Sequence, residues 1–114
     1  MIDISTAEDE NFVCISVAGE VDASSSIQLD SAIQQSIEVG FKKIMVDCSE
    51  LNYISSAGLG VFMSYIQELE AKEINMVLFS LQEKVLHVFQ ILGLDQLLKI
   101  VDDKKSAKEL LNVV

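Results

Sequence analysis

The sequence reads as an α/β protein. The expected architecture is a mixed, mainly parallel sheet of about five strands with about four helices, in the order ββαβαβαβα. Three observations predict it. Short β-rich apolar runs alternate with segments of helical periodicity, as strand–helix–strand crossovers do. The first two apolar runs are separated only by a polar "EDEN", which marks a hairpin. The 114 residues contain no proline and no blocked polar stretch, so residues 1–114 are expected to form one domain.

The elements follow in order. "MIDIST" is a first strand and "FVCISVAG" a second. In the next segment Ser25, with Gln28 three positions on, has the spacing of a capping box. Leu29, Ile33 and Ile37, with Ala32 beside them, recur at helical spacing, and Gly40 closes the helix. "KKIMVDC" has the profile of a buried central strand. "YISSAGLGVF" then opens a helix of about four turns, whose apolar face carries Leu59, Phe62, Ile66 and Leu69, joined by Met63. "INMVLFS" is a further strand. Ser80 and Glu83 read as a second capping box before a short helix with Val85, Leu86 and Phe89, ended by Gly93. "QLLKIVD" is the last strand, and "KKSAKELLNVV" a last helix with Ala107, Leu110 and Leu111 on one side.

Composition excludes several functions. The net charge is −10, and every basic residue is a lysine. Without the arginine fork that matches phosphates and base edges, nucleic acid is not an expected partner. An acidic surface suits solubility, a monomer, or a protein partner with a basic patch. The start, "MIDISTAEDE", has neither the basic beginning nor the apolar core of a signal peptide, and no apolar run is long enough to span a membrane. The expected location is therefore the cytoplasm. Cys14 and Cys48 sit in separate apolar runs, form no metal-binding pattern, and read as buried free thiols.

The usual enzyme signatures are missing. No glycine stands two before Ser55 or Ser56, so the stretch is not a nucleophile elbow. The single histidine, His87, lies between Leu86 and Val88 in the third helix and reads as structural. "GLGVFM" is not G-x-G-x-x-G, and there is no phosphate-loop lysine. Asp102–Asp103 carries little signal in so acidic a chain. No catalytic residue, metal ligand or cofactor is assigned.

What remains is the hydroxyl pair Ser55–Ser56 at a helix start, where free N–H groups and a partial positive charge favour anions. One of the two can simply cap the helix. Gly58 and Gly60 each cost about 1 kcal/mol relative to alanine within a helix. They serve either close packing on the sheet or clear space for a partner. A phosphoryl group on a serine there would add about −1.5 to −2 charges without unfolding the helix.

Three stretches resemble the STAS domain family, and within it the bacterial anti-sigma factor antagonists. "GEVD", Gly19 to Asp22, resembles the family's motif after the second strand. "ISSAGLGVF", Ile54 to Phe62, resembles its D-S-[ST]-G-L-G segment, and "FQILGLDQLLKI" its F-x-x-x-G-L segment. The resemblance covers essentially the whole chain. It implies a non-enzymatic protein that binds an anti-sigma factor, usually a serine-protein kinase, and needs no cofactor itself. It further implies phosphorylation of Ser56 by that kinase, reversed by a PP2C-type phosphatase. Asp22, Ser55, Ser56, Gly58, Leu59 and Gly60 would form the docking face, with Asp22 equally able to cap the first helix. The family's aspartate before the acceptor is here Ser55, a rival acceptor, and the residue after it is Ala57. A second reading is a constitutive, unphosphorylated STAS subunit of a transport or signalling complex. A third is a small serine hydrolase.

Overall fold

The computed structural model describes residues 2–113. Its elements are β1 (Ile2–Glu8), β2 (Val13–Val21), α1 (Ser26–Val39), β3 (Lys43–Asp47), β4 (Leu51–Ile54) and α2 (Ser56–Ala71). They continue with β5 (Asn75–Phe79), α3 (Glu83–Ile91), a 3-10 turn at Leu94–Gln96, β6 (Lys99–Val101) and α4 (Lys104–Leu111). The sheet runs β1-β2-β3-β5-β6, with β4 also paired to β2. Only the β1–β2 hairpin is antiparallel, and every other pairing is parallel. The predicted order holds, with one strand more than the sequence indicates. β4 has four residues, of which the middle two are exposed, and so carries too little apolar pattern to be read as a strand.

β3 and β4 lie end to end along β2. Val13–Ser16 pair with β3, and Gly19–Val21 with β4. The register shifts between Gly19 and Glu20, and Gly19 has φ +96°, a conformation open to glycine. The glycine of "GEVD" is thus the point where β2 changes partner.

The sheet is covered on both faces, which is why its central strands are apolar throughout. Ile44 and Val46 face the main core under α1, α2 and α3, and Met45 faces a smaller cluster under α4. All three are 0% exposed. Burying a side chain of this size stabilises by about 1.5–3 kcal/mol. α2 and α3 meet through Phe62 and Phe89, with ring centroids 6.1 Å apart. In α1, Leu29, Ile33 and Ile37 point inward as expected, and Gly40 closes the helix at φ +108°.

Several local expectations are corrected. The capping box of α1 runs from Asp22 to Ser25, not from Ser25 to Gln28. An Asp22 carboxylate oxygen accepts from the Ser25 N–H at 2.8 Å, and Ser25 Oγ accepts from the Asp22 N–H at 2.8 Å. The Ser80–Glu83 box does not form. Ser80 has φ +59°, its hydroxyl donates to Asp102 O, and α3 begins after Gln82. Met63 lies half-exposed on the outer side of α2. Tyr65 takes the inner place, and its hydroxyl donates to the Asp30 carboxylate at 2.7 Å. In α4, Leu110 is exposed while Ala107 and Leu111 are buried.

Candidate functional site

The site is the junction of β4 and α2, where the two serines have different positions. Ser55 is extended and caps the helix: its Oγ accepts from the Gly58 N–H at 3.2 Å. Its own N–H donates to Val21 O at 2.8 Å, tying the start of α2 to the end of β2. Ser56 is the first helical residue and is exposed. Through the Val21–Ser55 bond the structure brings the Asp22 turn and the Ser56 turn together at one end of the sheet. That end lies at the carboxyl ends of the parallel strands, where ligands of open α/β sheets are usually met.

The two glycines divide in the same way. A Cβ on Gly58 would lie 2.7 Å from Val21 Cγ1 and 2.7 Å from Ile54 Cγ1, so this glycine lets the helix sit on the sheet. A Cβ on Gly60 would meet nothing within 4 Å. Close packing therefore accounts for Gly58 and not for Gly60. Leu59, which helical spacing puts on the apolar face and the family resemblance puts on the docking face, is 4% exposed and belongs to the core. Its side chain is not on the outer surface, and neither is the buried Gly58. The outward stripe is Ser56, Gly60 and Met63, spaced i, i+4, i+7, with Gln67 continuing it. Met63 was missed because an apolar residue near helical spacing reads as core. The stripe 56-60-63 was the signal that could have found it.

Asp22 is exposed and charged. The Ser25 N–H, with the Ser24 and Ser25 hydroxyls and the Ser24 N–H, donates to one carboxylate oxygen. These bonds draw its pKa down to about 2, first through the Ser25 N–H. Its second oxygen is left for other contacts. Asp22 thus caps α1 and presents a fixed negative charge beside α2.

The other candidate groups are elsewhere. His87 is exposed on α3. Asp103 caps α4, accepting from the Ser106 N–H at 2.8 Å. Cys14, in β2, and Cys48, just after β3, are buried free thiols on opposite faces of the sheet. Burial raises the pKa of both, so neither is poised as a thiolate. Among the described residues no helix is long and apolar enough to cross a membrane.

Comparison with known proteins gives a consistent pattern. A family model for the STAS domain matches residues 3–107. The chain is 31% identical over 93 residues to the anti-sigma-B factor antagonist of Listeria monocytogenes, covering 81% of each chain. Its fold is similar to an anti-sigma factor antagonist from Mycobacterium paratuberculosis (TM-score 0.89, 17% identity, 98% and 95% coverage). It is also similar to the anti-sigma factor antagonist SpoIIAA in its unphosphorylated form (TM-score 0.79, 22% identity, 100% and 99% coverage). The phosphorylated form of SpoIIAA from Bacillus gives a TM-score of 0.71 at 22% identity, over 96% and 99% of the two chains.

Proposed function

The chain belongs to the STAS domain family, and on that premise we propose that it is an anti-sigma factor antagonist. In this reading it acts in the cytoplasm by docking onto an anti-sigma factor that is a serine kinase. Phosphorylation of Ser56 switches it off, and a phosphatase restores it. The observation that carries the switch is the division of labour between the serines. Ser55 Oγ holds the Gly58 N–H, while Ser56 stands exposed beside the open space over Gly60. Support for a regulatory role comes from the relative named as an anti-sigma-B factor antagonist, and from a fold neighbour known in both phosphorylated and unphosphorylated forms.

The physical argument for a switch is short. A phosphoryl group on the first helical residue meets the positive end of the α2 dipole and free N–H groups. The helix therefore tolerates it. A partner packed onto the Ser56–Gly60–Met63 stripe does not, because it must desolvate about two negative charges.

The test is a pull-down from the native cytosol with Ser56→Ala and Ser56→Asp as baits. The expected result is an ATP-binding serine kinase retained by the first and lost from the second, with thermal midpoints of the two baits nearly equal. A loss of tenfold in affinity corresponds to about 1.4 kcal/mol. The same proteins on both baits would overturn the switch and leave a constitutive docking subunit.

A further inference from the structure

We propose that this protein self-associates through the free edge of β1, forming a two-fold dimer with one sheet continuous across both copies. The inference is independent of the Ser56 switch, and goes against the monomer that the charge alone favours. β1 is the first strand of the sheet and pairs on one side only. All seven of its residues, Ile2–Glu8, are in regular antiparallel register with β2, without a bulge. It contains none of the lysine, proline or glycine by which edges are commonly blunted. The opposite edge, β6, is only three residues long and carries Lys99.

The sequence of β1 is complementary to itself. The antiparallel register that pairs all seven residues with a second copy is symmetric about Ser5. In that register Asp3 lies opposite Ala7, Ile4 opposite Thr6, and Glu8 opposite Ile2 of the second copy. Neither acidic residue faces a like charge, which would be destabilising directly across strands.

The flank of α1 beside this edge matches it. Tyr65 of α2 contacts α1 at Asp30 and Gln34, so α2 lies on that side. The opposite side, toward β1, carries Gln28, Ala32, Gln35 and Val39, none of them charged. Val39 is 60% exposed. A two-fold axis perpendicular to the sheet at Ser5 places the two α1 flanks on the same face, turned toward each other. On a chain of net charge −10, the α1 flank carries no charge, and the two acidic residues of β1, Asp3 and Glu8, are each offset along the strand from their own copies in this register, so a second copy meets limited repulsion here. The remaining acidic surface still repels, so association strengthens as salt screens it.

The experiment is cysteine cross-linking at the axis. In the proposed register the two Ser5 Cα atoms are about 4.5–5.5 Å apart, within the range a disulfide spans. Ser5→Cys is expected to give an oxidised dimer of twice 12.6 kDa. In Asp3→Cys the two thiols sit about four residues, roughly 14 Å, out of register, and no dimer band forms. The native Cys14 and Cys48 are buried, and the wild-type chain serves as the blank. Sedimentation of the unmodified protein checks the result without a cross-link. The weight-average mass rises with concentration, rises further with added salt, and returns to the monomer value in Ser5→Glu, whose circular dichroism stays native. Equal cross-linking of both variants would show random collision and overturn the proposal. So would a monomer mass at every concentration up to about 1 mM, where even the weakest specific contacts register.

Discussion

The two faces of α2 over its first two turns use the same residue types for opposite purposes. On the inner face Ser55 binds the helix backbone and Gly58 removes a side chain so that Val21 and Ile54 can approach. On the outer face Ser56 makes no capping bond and Gly60 opens onto empty space. One serine and one glycine maintain the fold. The other serine and glycine cost helix stability and give the fold nothing that the structure records. The difference teaches that a residue which weakens a helix without relieving a contact is a candidate for recognition, whereas one that relieves a contact is explained by packing.

The sharpest way to break this contrast is to give each glycine a methyl group. Gly58→Ala gains about 1 kcal/mol of helix propensity. It then forces a Cβ to within 2.7 Å of two buried branched side chains, Val21 and Ile54. Overpacking of this kind costs about 1–3 kcal/mol. Because the crowded atoms lie on stiff β-branched residues in a sheet, the upper part of that range applies, and a net loss of up to about 2 kcal/mol is expected in urea unfolding. Unchanged or raised stability would mean that α2 can lift off β4 and β2, and that Gly58 too belongs to the outer class.

Ser55→Ala is the next largest effect. It removes the acceptor for the Gly58 N–H and should cost about 1 kcal/mol. For a chain of this size the thermal midpoint falls by roughly 4 °C. Ser56→Ala should leave the midpoint within about 1 °C, since a surface change away from caps and core is nearly neutral. Equal losses from the two serines would erase the distinction between cap and free hydroxyl.

The sheet and its helical cover were legible because their signals are long. The alternation in β2, the apolar run of β3 and the Leu29-Ile33-Ile37 stripe each repeat often enough to specify a period. β4 was not legible, since two apolar residues at the ends of four cannot show alternation. At the site, the sequence could place Ser55 and Ser56 at a helix start but not say which one caps, because capping depends on a backbone angle at a single residue. The family resemblance placed Leu59 on the docking face, while its helical spacing placed it on the apolar face. The helical turn carries it inward, and Met63 outward, a consequence of phase rather than composition. Asp22 was left between capping and recognition. The Asp22–Ser25 box shows the capping, at a three-residue spacing that also fits Ser25–Gln28, so spacing alone could not choose between the two.

The smallest stability effect discriminates best. Gly60→Ala adds a methyl group that meets nothing within 4 Å, so only the propensity term acts. Stability should rise, by about 0.5–1 kcal/mol. If the outer stripe is the docking face, the same methyl group stands between Ser56 and Met63 and keeps a partner's surface away. Partner binding should then fall at least several-fold while the midpoint climbs. A general loss of folding cannot produce that pairing of signs, because destabilisation lowers both quantities. A rise in stability with binding unchanged would show that the space over Gly60 is empty for no reason connected with a partner. In that event the outer face would have to be sought elsewhere, along the Asp22 turn and the start of α1, whose fixed carboxylate and exposed Ile27 lie at the same end of the sheet.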